Sequence, residues 1–304
     1  MIGHRRSLWL DCLDFQTLYQ YGVAEVDKIH LEAFVSWWKA VHIRSELQYS
    51  QRVREMAGTD NMGNQAVTIR AKPHPIKLDL ARTAVLVVDM QNDFGAAGGI
   101  FERAGVDIRG IQGTVAPTKR VLDSARASGM KVVYLKMGFQ PDLSDLGSVD
   151  APNRVRHLFF GVGKSVLAPN GAPSRLLVRG TWNTEILPEL VPGPSDDVVW
   201  KHRFSGFYET ELHSLLQRKG IRYLVVTGCT TSICVESTVR DAMFRDYACL
   251  LLEDCMAEPI GQDLPTSCHQ ASLVAMQTLF AWVSDSGEFV RALAVPVAVA
   301  QTGA

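Results

Sequence analysis

The sequence has few cysteines for its length. Six occur in 304 residues, namely Cys12, Cys229, Cys234, Cys249, Cys255 and Cys268. No two of them form a Cys-x-x-Cys pair, and this number is too small for a disulfide-stapled fold. The cysteine content therefore predicts a reducing, cytoplasmic setting, in which a free thiol can act as a reactive group.

The chain also lacks a strong net charge and a long apolar run. Its formal net charge is −1 at pH 7, so no global field attracts nucleic acid or an anionic membrane. No apolar run approaches the roughly 20 residues of a membrane span. The stretch SLWLDCLDF near the N-terminus is too short and too acidic for a signal peptide. We expect a small-molecule substrate, no nucleic acid and no membrane.

The first 78 residues differ from those that follow. Apolar residues at helical spacing predict one amphipathic helix there: Leu31, Phe34, Val35, Trp38 and Val41. A polar, glycine-containing linker, AGTDNMGNQ, comes next. We predict an N-terminal helical extension and linker over residues 1–78 and a main domain over residues 79–304. The extension is expected to pack on the main domain or a sister subunit, and a lid over the active site is the alternative.

Apolar runs alternate with amphipathic segments throughout the main domain. Strands are predicted at residues 84–89, 131–136, 197–201, 223–227 and 248–253. Helices are predicted at residues 112–127, 183–190, 208–219 and 266–283. This alternation predicts an α/β fold, a doubly wound, Rossmann-like parallel sheet with helices on both faces. Ligands in such folds bind at the carboxyl ends of the strands.

One stretch places a thiol at such a strand end. In RYLVVTGCTTSICVESTVRD, residues 222–241, an apolar strand is followed by Gly228, by hydroxyl residues suited to cap a helix, and by helical spacing. Cys234 falls in the first turn of that helix. Free N–H groups and the helix dipole there favour a nucleophilic thiolate. The alternative is that Cys234 is a small buried apolar residue.

Two further reactive groups end strands of the same sheet. Asp89 ends the first strand of the main domain and Lys201 ends the third. In a parallel sheet both lie at the rim where Cys234 follows the fourth strand. Lys201 would lower the pKa of the thiol, and Asp89 would take its proton. Taken singly, a turn aspartate or a solvated lysine is the alternative.

Three blocks of sequence resemble the isochorismatase-like cysteine hydrolases. They are DMQNDF with the following GG (residues 89–99), KHRFSGF (201–207) and TGCTTSICVESTVRDA (227–242). The resemblance runs in order from about residue 83 to residue 293. Within the family the chain is most similar to the ureidoacrylate amidohydrolases, through LLVRGTWNTEILPELVPGPSDDVV, RKGIRYLVVTG and LFAWVSD.

The resemblance implies a role for each reactive group. Asp89 would be the general acid and base, Lys201 its charged partner, and Cys234 the nucleophile. A non-proline cis peptide bond would join Cys229 and Thr230. The N–H groups of Thr230 and Cys234 would then form the oxyanion hole.

The same resemblance bears on metals and assembly. Some relatives bind a metal through an Asp-x-His pair, but the matching stretch here, KMGFQPDLSD, has no histidine. The eight histidines also show no metal-ligand spacing. We therefore predict no metal and no cofactor. Because family members are commonly oligomeric, a homo-oligomer, either a dimer or a tetramer, is expected.

Five residues are candidates for substrate binding. Asn153 matches a family asparagine that binds a carbamoyl or amide oxygen, although many loop asparagines are structural. Phe204 stands where the ureidoacrylate enzymes carry a tyrosine. Gln91 either binds substrate or orders Asp89. Arg154 and Arg203 are candidates for binding a substrate carboxylate.

Further departures from the ureidoacrylate pattern put the substrate in doubt. His202 replaces a proline, and Asp93 and Phe94 replace a small residue and a tyrosine. They are expected to touch the pocket while leaving the hydrolysis intact.

The sequence therefore predicts a cysteine-dependent amidohydrolase. It would cleave a C–N bond of a small carbamoyl, ureido or amide substrate of the ureidoacrylate type through a covalent thioester-type intermediate. A hydrolase of biuret, another N-carbamoyl compound or an aryl amide is the alternative within the family. A binding protein that has lost catalysis is the alternative outside enzymology.

Overall fold

The computed structural model describes residues 66–294, and a six-stranded sheet forms the centre of this region. With elements numbered along the chain, the order across the sheet is β10 (Trp282–Ser284), β9 (Ala248–Ala257), β8 (Tyr223–Cys229), β3 (Thr83–Val88), β4 (Lys131–Met137), β7 (Asp197–Lys201). Every neighbouring pair is parallel. The predicted parallel α/β sheet is thus confirmed.

Helices cover both faces of this sheet. The α-helices of residues 66–294 are α1 (Asn92–Gly95), α2 (Ile100–Arg103), α3 (Arg109–Gly113), α4 (Val115–Ala127), α5 (Pro152–Phe159), α6 (Leu212–Arg218), α7 (Glu236–Met243), α8 (Cys268–Leu279) and α9 (Ser286–Ala294). One apolar core lies between the sheet and α4 and α9. A second lies between the sheet and α6, α7 and α8.

Strand β3 shows why its sequence is apolar without alternation. Successive side chains of a strand point to opposite faces, so both faces of a covered strand are buried. Val85 and Val87 belong to the first core, and Leu86 belongs to the second. All six residues of the strand are buried.

Two predicted helices differ from the structure. The one expected over residues 266–283 ends at Leu279, and Trp282–Ser284 forms the edge strand β10, which pairs with residues 250–252 of β9. The one expected over residues 183–190 consists of two short 3₁₀ turns. Between them Ile186 bridges Gln91, and the Glu185 carbonyl accepts from the Asn92 N–H, so the segment is extended. In both places tertiary pairing overrides the local pattern.

Two antiparallel hairpins lie outside the central sheet. β1 (Ala66–Ile69) pairs with β2 (Ile76–Asp79), and β5 (Ser165–Leu167) pairs with β6 (Pro173–Arg175). Lys72, in the turn of the first hairpin, exchanges backbone hydrogen bonds with Val283 of β10. The predicted boundary between residues 78 and 79 falls inside β2, and the division into an extension and a main domain stays a prediction.

The predicted N-terminal helix lies outside the described residues. Within residues 66–294, no helix combines the length and the apolar composition that crossing a bilayer requires.

Candidate active site

Three strand ends bring Asp89, Lys201 and Cys234 together. The Lys201 Nζ lies 2.7 Å from Asp89 Oδ2, and these side chains are 0% and 1% exposed. The Cys234 thiol, 8% exposed, is within hydrogen-bonding reach of both. Lys201 belongs to β7, two strands away from β3, and its side chain passes Met137 Sδ of β4 at 3.6 Å. A long side chain is needed for this reach.

The backbone turns sharply at Asp89. Its φ angle is 52°, in the left-handed region that L-residues rarely occupy. The Asp89 N–H donates to the Leu135 carbonyl of β4 at 2.9 Å, and its carbonyl accepts from the Gln91 N–H at 2.8 Å. This turn directs the carboxylate across the end of the sheet instead of along the strand.

Gln91 fixes that turn to the neighbouring strand. Its Nε2 donates to the carbonyls of Met137 and Thr184 at 2.9 and 3.0 Å, and its Oε1 accepts from the Met137 N–H at 2.7 Å. The side chain is fully buried and is not part of the cavity wall. The structure therefore does not bring Gln91 to the substrate cavity, because its amide group is hydrogen-bonded to backbone groups of Met137 and Thr184.

Cys234 lies in a five-residue π-helical turn, Thr231–Val235, between β8 and α7. The peptide bond between Cys229 and Thr230 is cis. Gly228, just before it, has a φ of 114°, and a Cβ there would lie 2.0 Å from the Val88 carbonyl oxygen. Only glycine lets β8 approach β3 this closely.

Two polar residues, one buried and one half-buried, anchor this nucleophile turn from behind. Glu258 accepts from the Ser232 N–H at 2.9 Å and from the Ser232 hydroxyl, while its other oxygen accepts from the Ile260 N–H at 3.1 Å. His269 Nδ1 lies 2.8 Å from the Thr231 hydroxyl. Because Glu258 is only 3% exposed, its carboxylate holds the turn without contacting solvent.

Burial dominates the electrostatics of the three groups. Burial raises the pKa of the Asp89 carboxyl above its usual range, although the Lys201 ammonium opposes the rise. For Lys201, burial is the largest single influence and works against the charge, but Asp89 and Cys234 together outweigh it, so the pKa is raised and the amine stays charged.

Burial also raises the pKa of the Cys234 thiol to about 12, against the lowering effect of Lys201. The expected lowering by Lys201 is present, but burial outweighs it, so the net pKa of the thiol rises. The sulfur rests as a thiol, and a base must take its proton during attack.

A cavity of about 160 Å³ leads from solvent to these groups. Asp89, Cys229, Thr230 and Cys234 form its closed end, and its side wall is mainly aromatic and aliphatic. Among the residues predicted to bind substrate, Phe204 lies in this wall and is 40% exposed. Asn153 is not in the wall.

Asn153 instead supports a wall residue that the sequence reasoning missed. The backbone carbonyl of Asn153 accepts from His157 Nδ1 at 2.6 Å, while its side-chain Nδ2 donates to the Leu146 carbonyl at 3.0 Å. Since a carbonyl cannot donate, the His157 ring carries its proton on Nδ1. Burial lowers the pKa of His157, so the ring is neutral and its Nε2 is an acceptor. The spacing of these two residues, one turn apart on α5, was the signal available.

The other residues expected at the pocket differ in whether they line the cavity. Arg154 lies 3.4 Å from the Gly147 carbonyl, and Arg203 donates to the carbonyls of Asp145 and His202. Neither reaches the cavity wall, whereas Arg156 does. Phe94 lines the cavity as expected, but His202 faces Glu209 at 3.2 Å.

Asp93 is a structural acceptor outside the cavity wall. It accepts from Asn183 Nδ2 and from the N–H groups of Ile100 and Leu177, at 2.6, 2.9 and 2.7 Å. Burial raises its pKa to about 6 even so. Asp93 therefore joins the loops after β3 and β6, and the expectation that it touches the pocket is wrong because its side chain points into this junction.

A family model now decides which family the chain belongs to. The isochorismatase domain matches residues 83–288, well over half of the chain. The chain belongs to the isochorismatase family. The predicted resemblance is confirmed, and the matched range contains the strand ends that carry Asp89, Lys201 and Cys234.

Named relatives support this membership in the isochorismatase family. The ureidoacrylate amidohydrolase RutB of Rhizobium rhizogenes is 39% identical over 226 residues, covering 74% of this chain and 89% of that protein. RutB of Agrobacterium fabrum is 39% identical over 233 residues, covering 76% and 99%.

Solved structures of related proteins support the same fold. A cysteine hydrolase from Pseudomonas syringae pv. phaseolicola superposes with a TM-score of 0.60 at 28% identity, covering 71% of this chain and 94% of that one. An isochorismatase family protein from Desulfovibrio vulgaris gives 0.55 at 29% identity, covering 70% and 99%. Over residues 66–294 no three histidine, cysteine or carboxylate side chains are grouped as metal ligands, and the prediction of no metal and no cofactor stays a prediction.

Proposed function

We propose that this protein is a cysteine-dependent amidohydrolase that cleaves a C–N bond of a small carbamoyl or ureido compound of the ureidoacrylate type. The observation that carries the proposal is the buried cluster of Asp89, Lys201 and Cys234 at the closed end of a cavity. The similarity to RutB proteins supports the substrate type. A pure binding protein would have no use for a buried ion pair beside a thiol, since burying charges is costly.

In the first half of the reaction, Asp89 takes the thiol proton as the Cys234 sulfur bonds to the carbonyl carbon. A carboxylate with a raised pKa suits this step, because its basicity is closer to what neutral pH requires. The N–H groups of Cys234 and Thr230 hold the oxyanion. Asp89 then gives its proton to the leaving nitrogen, and ammonia or an amine departs.

In the second half, a water molecule gives a proton to Asp89 and attacks the thiocarbamate or thioester carbon. The C–S bond breaks, and the proton returns from Asp89 to the Cys234 sulfur. A carbamate product then loses carbon dioxide. Lys201 stays charged throughout and keeps Asp89 in place.

The proposal is tested by ammonia release from ureidoacrylate, biuret and N-carbamoyl amino acids. Cys234→Ala should lower kcat by at least about 10⁴-fold, as expected for loss of a nucleophile. Cys268→Ser, a half-buried cysteine at the start of α8, is the matched control and should keep its activity. Mass spectrometry should find the acyl adduct on the peptide that holds Cys234. Turnover that survives in Cys234→Ala would overturn the proposal.

Assembly and location extend the proposal. By analogy with the oligomeric habit of the family, we infer a homo-oligomer, and from the free cysteines a cytoplasmic setting. Sedimentation of the full chain tests the first inference, and fractionation of cells tests the second.

A further inference from the structure

The side wall of the cavity is apolar almost throughout. Between the reactive groups and solvent it consists mainly of the side chains of Phe94, Phe101, Phe160, Phe204, Ile233 and Ile260. Phe160, Phe204 and Ile260 are 54%, 40% and 51% exposed, so they form its open end. A ligand with an apolar body would remove this surface from water, which favours binding in proportion to the area covered.

One cation stands in this wall. Arg156 of α5 lines the cavity, and no hydrogen bond or ion pair engages its guanidinium within residues 66–294. The nearby arginines differ, because Arg154 and Arg203 are directed at backbone carbonyls. The other charged group of the wall, Asp89, is at the closed end and is paired with Lys201. Arg156 is thus available to a carboxylate that approaches from the open end.

These two features specify a ligand with three parts. We infer that the substrate is an amphipathic anion, with its carbamoyl or amide group toward Cys234, a bulky apolar body against the aromatic wall, and a carboxylate paired with Arg156. The inference rests on the proposed function for the reacting group only. Ureidoacrylate shares the carboxylate, but only two carbons separate its ureido nitrogen from that group, so it would leave most of the wall uncovered.

Binding of unreactive probes tests the wall without requiring turnover. Ligand-observed NMR titration would compare 3-phenylpropanoate, propanoate and 3-phenylpropanol on the full chain. We expect 3-phenylpropanoate to bind at least about 10-fold more tightly than propanoate, because its phenyl ring removes more apolar surface from water. It should also bind about 10-fold more tightly than the alcohol, because a hydrogen bond to a charged group is lost.

Arg156→Gln and Arg154→Gln form a matched pair on one helix. In Arg156→Gln the acid should fall to the affinity of the alcohol, and the alcohol should be unaffected. In Arg154→Gln the ratio between acid and alcohol should stay as in the parent protein. Propanoate binding as tightly as 3-phenylpropanoate would overturn the inference. So would an unchanged ratio in Arg156→Gln, or no binding by any of the three probes.

Hydrolysis gives a second, separate readout. Among N-carbamoylglycine, N-carbamoyl-DL-leucine and N-carbamoyl-DL-phenylalanine, the last two should have kcat/KM values at least about 10-fold above the first. Equal values for all three, with Cys234-dependent ammonia release, would overturn the inference and leave the proposed function standing. Probe binding in the expected order, without ammonia release from any carbamoyl compound, would overturn the proposed function and leave the inferred apolar and carboxylate contacts standing.

Discussion

The two ends of the cavity are built in different ways. At the closed end Asp89, Lys201 and Cys234 come from strand ends and are at most 8% exposed. At the open end Phe160 follows α5 and Phe204 follows β7, and these side chains are 54% and 40% exposed. The closed end is held by backbone hydrogen bonds of the sheet and its turns, whereas the two phenylalanines of the open end pack on aromatic side chains of α5.

This contrast separates the reaction from the substrate. A reacting cluster tolerates little displacement, so it benefits from the rigidity of parallel strands. A wall of loop side chains can change without moving that cluster. The closed end should therefore govern kcat and its pH dependence, and the open end should govern KM.

After the loss of Cys234 itself, the largest effect is expected at the closed end, in Lys201→Met. Without the cation, kcat/KM should fall by about 10²- to 10³-fold, as for the loss of other electrostatic contacts in active sites. Activity should rise with pH as Asp89 ionises, since only the carboxylate can take the thiol proton. Lys201 lowers the pKa of Asp89, so this rise should move to higher pH in the variant. The pH profile of kcat/KM measures both changes.

Lys136→Met is the control for this variant. Lys136 is on β4 next to Met137, and its Nζ lies over the Trp200 ring at 4.4 Å instead of in the site. The pH at which activity rises should stay the same. If Lys201→Met also left the pH of this rise unchanged, Lys201 would not influence the protonation of Asp89.

A smaller effect is expected behind the nucleophile, in Glu258→Gln. An amide cannot accept from all the donors that Glu258 binds, so the turn that carries Cys234 should shift. We expect kcat to fall by about 10-fold and KM to change little, because small displacements of a nucleophile are costly. Steady-state kinetics separates the two constants.

Glu236→Gln, at the start of α7, is the matched control for Glu258→Gln. The Glu236 side chain pairs with Arg240 on the same helix, and only its backbone N–H, which the substitution keeps, bonds to the nucleophile turn. Its kcat should stay within about 2-fold of the parent, because ion pairs one turn apart on a helix contribute little. An equal loss in both variants would mean that Glu258 acts through general stability alone.

The smallest effect is expected at the open end, in Phe204→Leu. Part of the aromatic wall is lost, so KM for N-carbamoyl-DL-phenylalanine should rise by about 3- to 10-fold. The value of kcat and the pH profile should be unchanged. Tyr208→Leu, an exposed aromatic outside the wall, should leave KM as it is. A change of pH profile in Phe204→Leu would break the division between the two ends.

Local patterns were enough to identify the sheet and the reactive residues. A continuous apolar run such as residues 83–88 indicates a strand covered on both faces, and the parallel order then puts Asp89 and Lys201 at one rim. The resemblance of three sequence blocks added the family. The strands depend on residues close together in the chain, so the spacing of apolar residues predicts them.

Contacts between distant segments supplied the rest. Trp282–Ser284 became a strand because β9 offered an edge, and Arg156 reached the cavity because α5 packs beside the end of β7. The pKa of Cys234 rises because many side chains exclude water from it together, which outweighs the one nearby cation. Desolvation and packing sum over neighbours that the order of residues does not specify, so only the folded chain reveals them.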